Sequence, residues 1–242
     1  QDMDRLYDEL LQFAGMATIT DIVPLKGENH IFARLGVEKL RNTVNPGIRA
    51  LCEIKGIEAS QIRGYHVGFI LGPSINSAGR LKNAKIAFDL LDTKDPGEAM
   101  NIARELYDLN EERKALTMDQ TIEAEKIIEA DVSILSGEKR VIVIYLPEAH
   151  ESVAGIIAGK LKEKYNRPAL VITESEDGLK GSARSTDDYN MIEALGRHPE
   201  CFRKFGGHAK AAGFTLKCTA SELSDIRNSE EQAQLIRSDR KI

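Results

Sequence analysis

The stretch from Pro96 to Ala130 constrains this chain more than any other. It holds no proline or glycine after Gly97, and Ala99, Ile102, Leu106, Leu109, Leu116, Ile122 and Ile127 recur at three-to-four spacing among charged residues. A helical period sustained that long fits a connector between two bodies. The chain therefore reads as residues 1–97, a connecting helix over 98–131, a second body over 132–218, and a polar tail over 219–242.

In the first body, Asp4 to Ala14 has helical spacing and is expected to end near Gly15. The following Met16–Leu25 is apolar and β-branched around one carboxylate, Asp21. An Asp in such a setting costs free energy unless it is paired, hydrogen-bonded or metal-bound; spacing alone favours an N-cap or turn residue. Leu25–Asn29 reads as a turn, and residues 31–42 and 46–56 as short helices. Val67–Leu81 reads as a loop rich in small residues in which Asn76 and Arg80 are the only long polar groups. Arg80 could reach a ligand that the small residues admit, or serve an internal ion pair in a close-packed turn. A helix over Ala84–Leu91 follows.

After the long helix the period changes. Arg140–Leu146, Pro168–Thr173, Leu179–Arg184 and Ala211–Leu216 read as strands, with helices at Ser152–Tyr165 and Tyr189–Leu195 between them. Alternation of this kind indicates a small α/β domain. His150, Ser182, Arg184 and His208 fall at or near the expected strand ends, where such sheets bind ligands. Gly206-Gly207 reads as a turn whose backbone a ligand can approach closely, with His208 beside it. Ser182 and Arg184 offer a hydroxyl and a guanidinium for phosphate oxygens. The tail is unpatterned apart from a weak helical stretch around Gln232–Arg237.

The net charge of −5 is unevenly spread: residues 98–131 carry 4 basic and 10 acidic side chains, and the flanking regions are near neutral. That argues against a protein that coats nucleic acid indiscriminately, for which a domain pI above about 9 is expected, while leaving room for a local basic groove. The acidic face of the helix reads as solvated surface. No apolar run approaches the ~18 residues of a membrane span, and the acidic N-terminus is unlike a signal peptide. Three cysteines, Cys52, Cys201 and Cys218, lie far apart in sequence; neither a zinc site nor a disulfide framework is indicated, and a cytoplasmic setting is expected.

Several segments together resemble one family. They are Ala17–Leu25 with Gly27-Glu28-Asn29, Gly72–Leu81, Asn110–Lys114, His150–Ala158, Gly181–Ser185, and Gly206-Gly207-His208 with Ala211, Gly213 and Phe214. In order, from about residue 6 to residue 217, the chain is similar to the RecJ family, single-strand-specific DNA exonucleases of the DHH phosphoesterase superfamily. The Gly-Gly-His motif is shared by all proteins with a DHHA1 domain, whereas the Gly72–Leu81 stretch and the ordered set are more specific. The resemblance implies an α/β fold made of the C-terminal part of a DHH domain, the long helix, and a small α/β DHHA1 domain, with the active site in a cleft. It implies hydrolysis of phosphodiesters from single strands, 5′ to 3′, by water activated on Mn²⁺ or Mg²⁺.

By the same resemblance Asp21 becomes a metal ligand and catalytic residue. Asn76 and Arg80 line the path of the DNA backbone, while Ser182, Arg184 and His208 contact terminal phosphates, His208 also as a catalytic residue. Gly206 and Gly207 allow close approach, and His150 is a loop histidine facing the cleft. The sequence departs from the family pattern in having no Asp-x-Asp in a strand–loop context and no Asp-His-His. One carboxylate does not hold two such cations, so this portion is expected to grip substrate, to retain no metal and to be inactive alone. Single-stranded DNA is the expected partner, with single-strand-binding or other repair proteins beside it. A monomer in DNA repair and recombination is expected. Two alternatives stand: a phosphodiesterase for oligonucleotides or cyclic dinucleotides, and a non-catalytic scaffold that binds nucleic acid.

Overall fold

The computed structural model describes residues 2–223. The chain divides into two compact units, residues 1–114 and 115–242, and the division falls inside one long helix.

The first unit is helical. Helix α1 (Asp2–Thr20) packs on α2 (Glu28–Arg41), and α3 (Pro46–Ile54) follows. The helix expected to stop near Gly15 runs on to Thr20. Gly15 is a crossing point rather than a cap: a Cβ there would lie 2.5 Å from the Phe32 carbonyl oxygen and 2.6 Å from Cα of Gly36. The helix continues through β-branched Thr18, Ile19 and Thr20, with the threonine hydroxyls satisfied inside it, Thr18 Oγ1 donating to the Ala14 carbonyl (2.7 Å) and Thr20 Oγ1 to that of Met16 (3.0 Å).

After a 3₁₀ turn at Ala59–Gln61, α4 (Gly64–His66) passes through a π-helical turn (Val67–Leu71) into α5 (Gly72–Leu81). The expected loop at Val67–Leu81 is thus helical throughout. Pro73 lacks the N–H an α-helix interior needs, and the wider turn just before it, closed by Gly72 N–H on the Val67 carbonyl, takes up the mismatch. The small residues serve packing. Ser74, Ser77 and Ala78 are buried, and a Cβ on Gly72 would fall 2.2 Å from Thr20 Cγ2. Helix α6 (Lys85–Asp92) completes this unit with the first half of α7 (Pro96–Ala130), whose Ala99, Ala103, Leu106 and Leu109 join its core.

The second unit is an α/β sandwich. The second half of α7 and a short α8 (Val132–Leu135) lead to β1 (Ile142–Tyr145), α9 (Glu151–Tyr165), β2 (Ala169–Ser175), β3 (Gly178–Arg184), α10 (Met191–Gly196), β4 (Phe202–His208) and β5 (Ala211–Leu216). The strand order is β1-β2-β3-β5-β4, with β1 and β2 parallel across the α9 crossover and the other pairs antiparallel. Ala124 and Ile128 of α7, the apolar side of α9 and residues of β1 and β2 form one core; Leu179, Ala183, Met191, Leu195 and Phe214 form another on the opposite face.

Gly206-Gly207-His208, expected as a turn before the last strand, is the end of edge strand β4; the turn is Ala209-Lys210. Two backbone bonds pin that turn, Ser185 N–H to the Lys210 carbonyl (2.9 Å) and Met191 N–H to the Ala209 carbonyl (2.8 Å). The helical stretch expected around Gln232–Arg237 lies outside the described residues.

Candidate functional site

Strand register brings the second unit's candidate residues onto one face. Ser182 pairs with Gly213, which pairs with Gly206; Arg184 pairs with Ala211, which pairs with His208; Lys180 pairs with Thr215, which pairs with Lys204. Residues directly opposite in an antiparallel pair share a face, so three rows run across β3, β5 and β4. Two strand spacings, about 10 Å, separate Arg184 from His208, room for one phosphodiester group. Ser182 therefore sits inside its strand rather than at its end.

The middle row is nearly free of side chains. Gly206 and Gly213 are exposed, neither has a positive φ, a Cβ on Gly206 would meet nothing within 4 Å, and one on Gly213 would meet only the Gly181 carbonyl oxygen at 3.9 Å. Neither packing nor backbone conformation asks for glycine at these two places. Their neighbours differ. Gly207 has φ of 144°, and a Cβ there would press to 2.3 Å from the Ala211 carbonyl oxygen, so it serves the hairpin. Gly181 makes room for the Phe214 ring, 2.1 Å from where its Cβ would be. The close-approach role expected for both Gly206 and Gly207 is thus carried by Gly206 with Gly213.

Helix α9 walls this floor on the β3 side. Lys180 binds Glu151 at 2.9 Å and Asp177 at 3.2 Å, and these partners, Glu151 foremost, hold its pKa above the ordinary lysine value. One turn further along α9, a Cβ on Gly155 would lie 2.8 Å from Arg184 Nη2 and 3.5 Å from Ser182 Oγ. The Arg184 guanidinium thus rests on bare helix backbone, and its Nη1 also donates to the Ala183 carbonyl at 2.8 Å. His150, expected as a loop histidine, is the N-cap of α9: its Nδ1 accepts from Ser152 N–H at 3.3 Å.

In the first unit, Asp21 is exposed in the turn that ends α1, its N–H bonded to the Ala17 carbonyl at 3.0 Å. The next residue, Ile22, has φ of 54° and is 87% exposed, an uncommon conformation for a β-branched side chain. Gly68 and Gly72 lie against Ile19 and Thr20, so the turn abuts the start of α5. Asn76 and Arg80, one helical turn apart, lie on the exposed face of α5. Arg113 of α7 is close enough to Arg80 that its pKa is pushed down, first by burial and then by the second positive charge. Asn110, itself buried, accepts from Arg113 Nε (3.3 Å) and Nη2 (3.1 Å). Arg113, Gly155, Lys204 and Gly213 were not among the candidates from sequence. The Gly213 signal was present in the Ala-Ala-Gly-Phe run; that of Gly155 is visible only once α9 is laid on β3.

The donor set does not fit a two-cation centre. Among the described residues no three His, Cys, Asp or Glu side chains converge, and Asp21 is a single exposed carboxylate. Hard divalent cations need several oxygen ligands, so no step through a metal is assigned to these residues.

Comparison with known proteins follows the same lines. Residues 138–234 match the model of the DHHA1 domain. The single-stranded-DNA-specific exonuclease RecJ of Bacillus subtilis is 37% identical over 228 residues, covering 93% of this chain and 28% of that protein. RecJ of Escherichia coli is 37% identical over 219 residues, covering 86% of this chain and 37% of that protein. The chain thus spans about a third of the length of these relatives. Among solved structures, RecJ of Thermus thermophilus in complex with Mg²⁺ superposes with a TM-score of 0.76 at 32% identity, over 87% of this chain and 32% of that one. An exonuclease RecJ bound to manganese gives 0.71 at 32% identity, over 87% and 51%.

Proposed function

The chain belongs to the RecJ family, and from that premise we propose that it is the substrate-gripping portion of an exonuclease that hydrolyses single-stranded DNA 5′ to 3′. The open glycine pair Gly206 and Gly213 carries the reading. A floor without side chains, kept where the protein itself has no use for glycine, lets a ligand backbone lie on the strands. Ser182 and Arg184 stand on one side of it, Lys204 and His208 on the other. Hydroxyl and guanidinium donors grip phosphate oxygens through charge-assisted hydrogen bonds, and exposed His208 and Lys204 add N–H donors from the edge strand. Asn76 and Arg80, with Arg113 behind them, supply a second set of donors for the phosphate backbone.

In a longer protein that supplied the missing ligands, Mg²⁺ or Mn²⁺ would lower the pKa of an attacking water and stabilise developing phosphoryl charge. Asp21 is then one ligand of several, and the others lie outside this chain. The described helices include none long and apolar enough to cross a membrane, and the described cysteines are free thiols. By its likeness to RecJ, a cytoplasmic protein of DNA repair and recombination is proposed.

The test is binding of a 5′-labelled oligothymidylate to the chain by fluorescence anisotropy. Affinity is expected to fall steeply with salt, because phosphate contacts dominate, and to fall about 10- to 150-fold in Arg184→Ala, the value of one hydrogen bond to a charged group. Binding that is insensitive to both salt and Arg184→Ala would overturn the assignment. Stronger retention of a dinucleotide than of the long strand would favour the oligonucleotide phosphodiesterase reading.

A further inference from the structure

A pocket of about 400 Å³ opens in the second unit between the latter half of α7 and the β1–α9 loop, lined by Gln120, Glu123, Ile127, Tyr145, Leu146, Pro147, Glu148 and Ala149. Its size is within the range of specific ligand sites. It is a different place from the glycine floor: the floor involves β3, β5 and β4, whereas this pocket sits beyond the C-terminal end of β1, the opposite edge strand.

We propose that this pocket receives a basic side chain flanked by apolar residues on a partner polypeptide. Its apolar lining is Ile127, buried Leu146 and Ala149, and exposed Pro147, and its charged members are both acidic. Glu123 lies on α7 and Glu148 on the loop. Glu174, which accepts from the Tyr145 hydroxyl at 2.5 Å, lies with the Tyr145 side chain on the other face of the sheet and is not part of the lining. Glu174 and Glu148 both act on Tyr145, whose phenol is pushed up to about 12 by burial and then by these carboxylates. Lys126 touches Glu123 at 3.4 Å, both side chains being mostly exposed, so an incoming guanidinium displaces it readily. The wall also holds an unmet acceptor: Gln120 Oε1 is buried with no hydrogen-bond partner among the described residues. An amide oxygen in that state is costly, and rotation toward the pocket against an arriving N–H relieves it.

The chemistry selects the ligand. The two lining carboxylates, Glu123 and Glu148, repel a phosphate backbone, so nucleic acid is the wrong partner here. A free diamine supplies charge but no bulk for the apolar lining. Arginine beside an aliphatic residue supplies both and is the charged side chain most enriched in protein interfaces. The site also gives part of the acidic long helix, which otherwise reads as solvated surface, a specific use.

The probe is a five-residue peptide alternating leucine and arginine, titrated into the ¹⁵N-labelled chain and followed by amide chemical shifts. Its counterpart with glutamate in place of arginine, and putrescine, are titrated alongside. The expected result is saturable perturbation centred on Gln120–Ile127 and Tyr145–Ala149 by the arginine peptide alone. Glu123→Lys combined with Glu148→Lys should weaken it about tenfold, and Glu148→Gln, the milder change, about threefold, with binding of oligothymidylate unchanged. Absence of saturable shifts, equal shifts from the glutamate peptide or putrescine, or indifference to both sets of substitutions would overturn the proposal.

Discussion

Gly155→Ala separates stability from grip in a single methyl group. Gly155 is inside α9 with ordinary helical backbone, and its missing Cβ is where Arg184 Nη2 rests, 2.8 Å from the position a methyl would take. A carbon at that distance is inside contact range, so the guanidinium must retreat by about 0.7–1 Å. The obstacle is the far end of a flexible side chain rather than backbone, so the fold gives way cheaply. Alanine in a helix interior is favoured over glycine by about 0.8–1 kcal/mol, and the variant should be more stable by up to that amount in a urea titration. Charge-assisted bonds are short and directional, and a shift near 1 Å forfeits most of one. A loss of about 1–2 kcal/mol, 5- to 30-fold in affinity for labelled oligothymidylate at low salt, is expected. The decisive control is the same change in an Arg184→Ala background, where the methyl has nothing to displace and affinity should not move. A more stable variant with undiminished affinity, or an equal loss in both backgrounds, would refute the placement of Arg184 as a phosphate grip.

Other expected outcomes follow from the same geometry. Gly206→Ala should leave thermal stability nearly unchanged yet weaken oligothymidylate binding, whereas Gly207→Ala should destabilise by about 2–4 kcal/mol through its positive φ and backbone clash; equal destabilisation by the two in urea melts would contradict the distinction. With Mn²⁺ present, the chain should bind a labelled single strand and leave it intact on a sequencing gel; robust digestion would show that the described residues hold a competent metal centre after all. Burial pushes the Cys52 thiol up to about 11, so mass spectrometry after brief alkylation at neutral pH should find exposed Cys201 modified and Cys52 untouched. Because that pKa is raised in the folded state, its contribution to stability is complete below pH 9 and lost as pH rises toward 11; Cys52→Ala should flatten alkaline unfolding in that window.

Much of the architecture is legible in the sequence because period and length speak clearly for it. The long helix, α9 and strands β1, β2, β3 and β5 follow from apolar spacing, and with them the α/β class. Where the reading fails, it fails at glycine and proline. Gly15 and Gly72 look like stops but lie within helices, at places where another helix comes too near for a Cβ. Pro73 looks like a loop residue but follows a π turn. Gly206-Gly207 looks like a hairpin tip but is strand, because the turn one residue further on is fixed by Ser185 and Met191, which no local pattern reveals. The site is legible in its polar members and illegible in its geometry. Ser182, Arg184 and His208 stand out as residue types, but only register aligns Arg184 with His208 and Ser182 with Gly206.

Open space at an imagined Cβ is no mark of a ligand by itself, since Gly64, Gly159 and Gly196 have it too, but collision does show which glycines the fold requires. At Gly15, Gly36, Gly72, Gly181 and Gly207 it would collide with the protein's own atoms, so these residues are accounted for by folding alone. At Gly206 and Gly213 it would project into unoccupied space beside Ser182. Glycine in a strand costs conformational entropy and gives up packing, and nothing within the described protein returns that cost at these two positions. A ligand lying on the strands does return it, since each absent methyl shortens the distance from strand backbone to ligand. Gly155 joins this second class through its effect on Arg184: its missing Cβ admits the guanidinium rather than a structural neighbour. Open Gly206 and Gly213 share one sheet face with Ser182 and Arg184, and Gly155 of α9 borders the same pair; that coincidence supports the proposal that substrate lies on this face more strongly than any one polar side chain does.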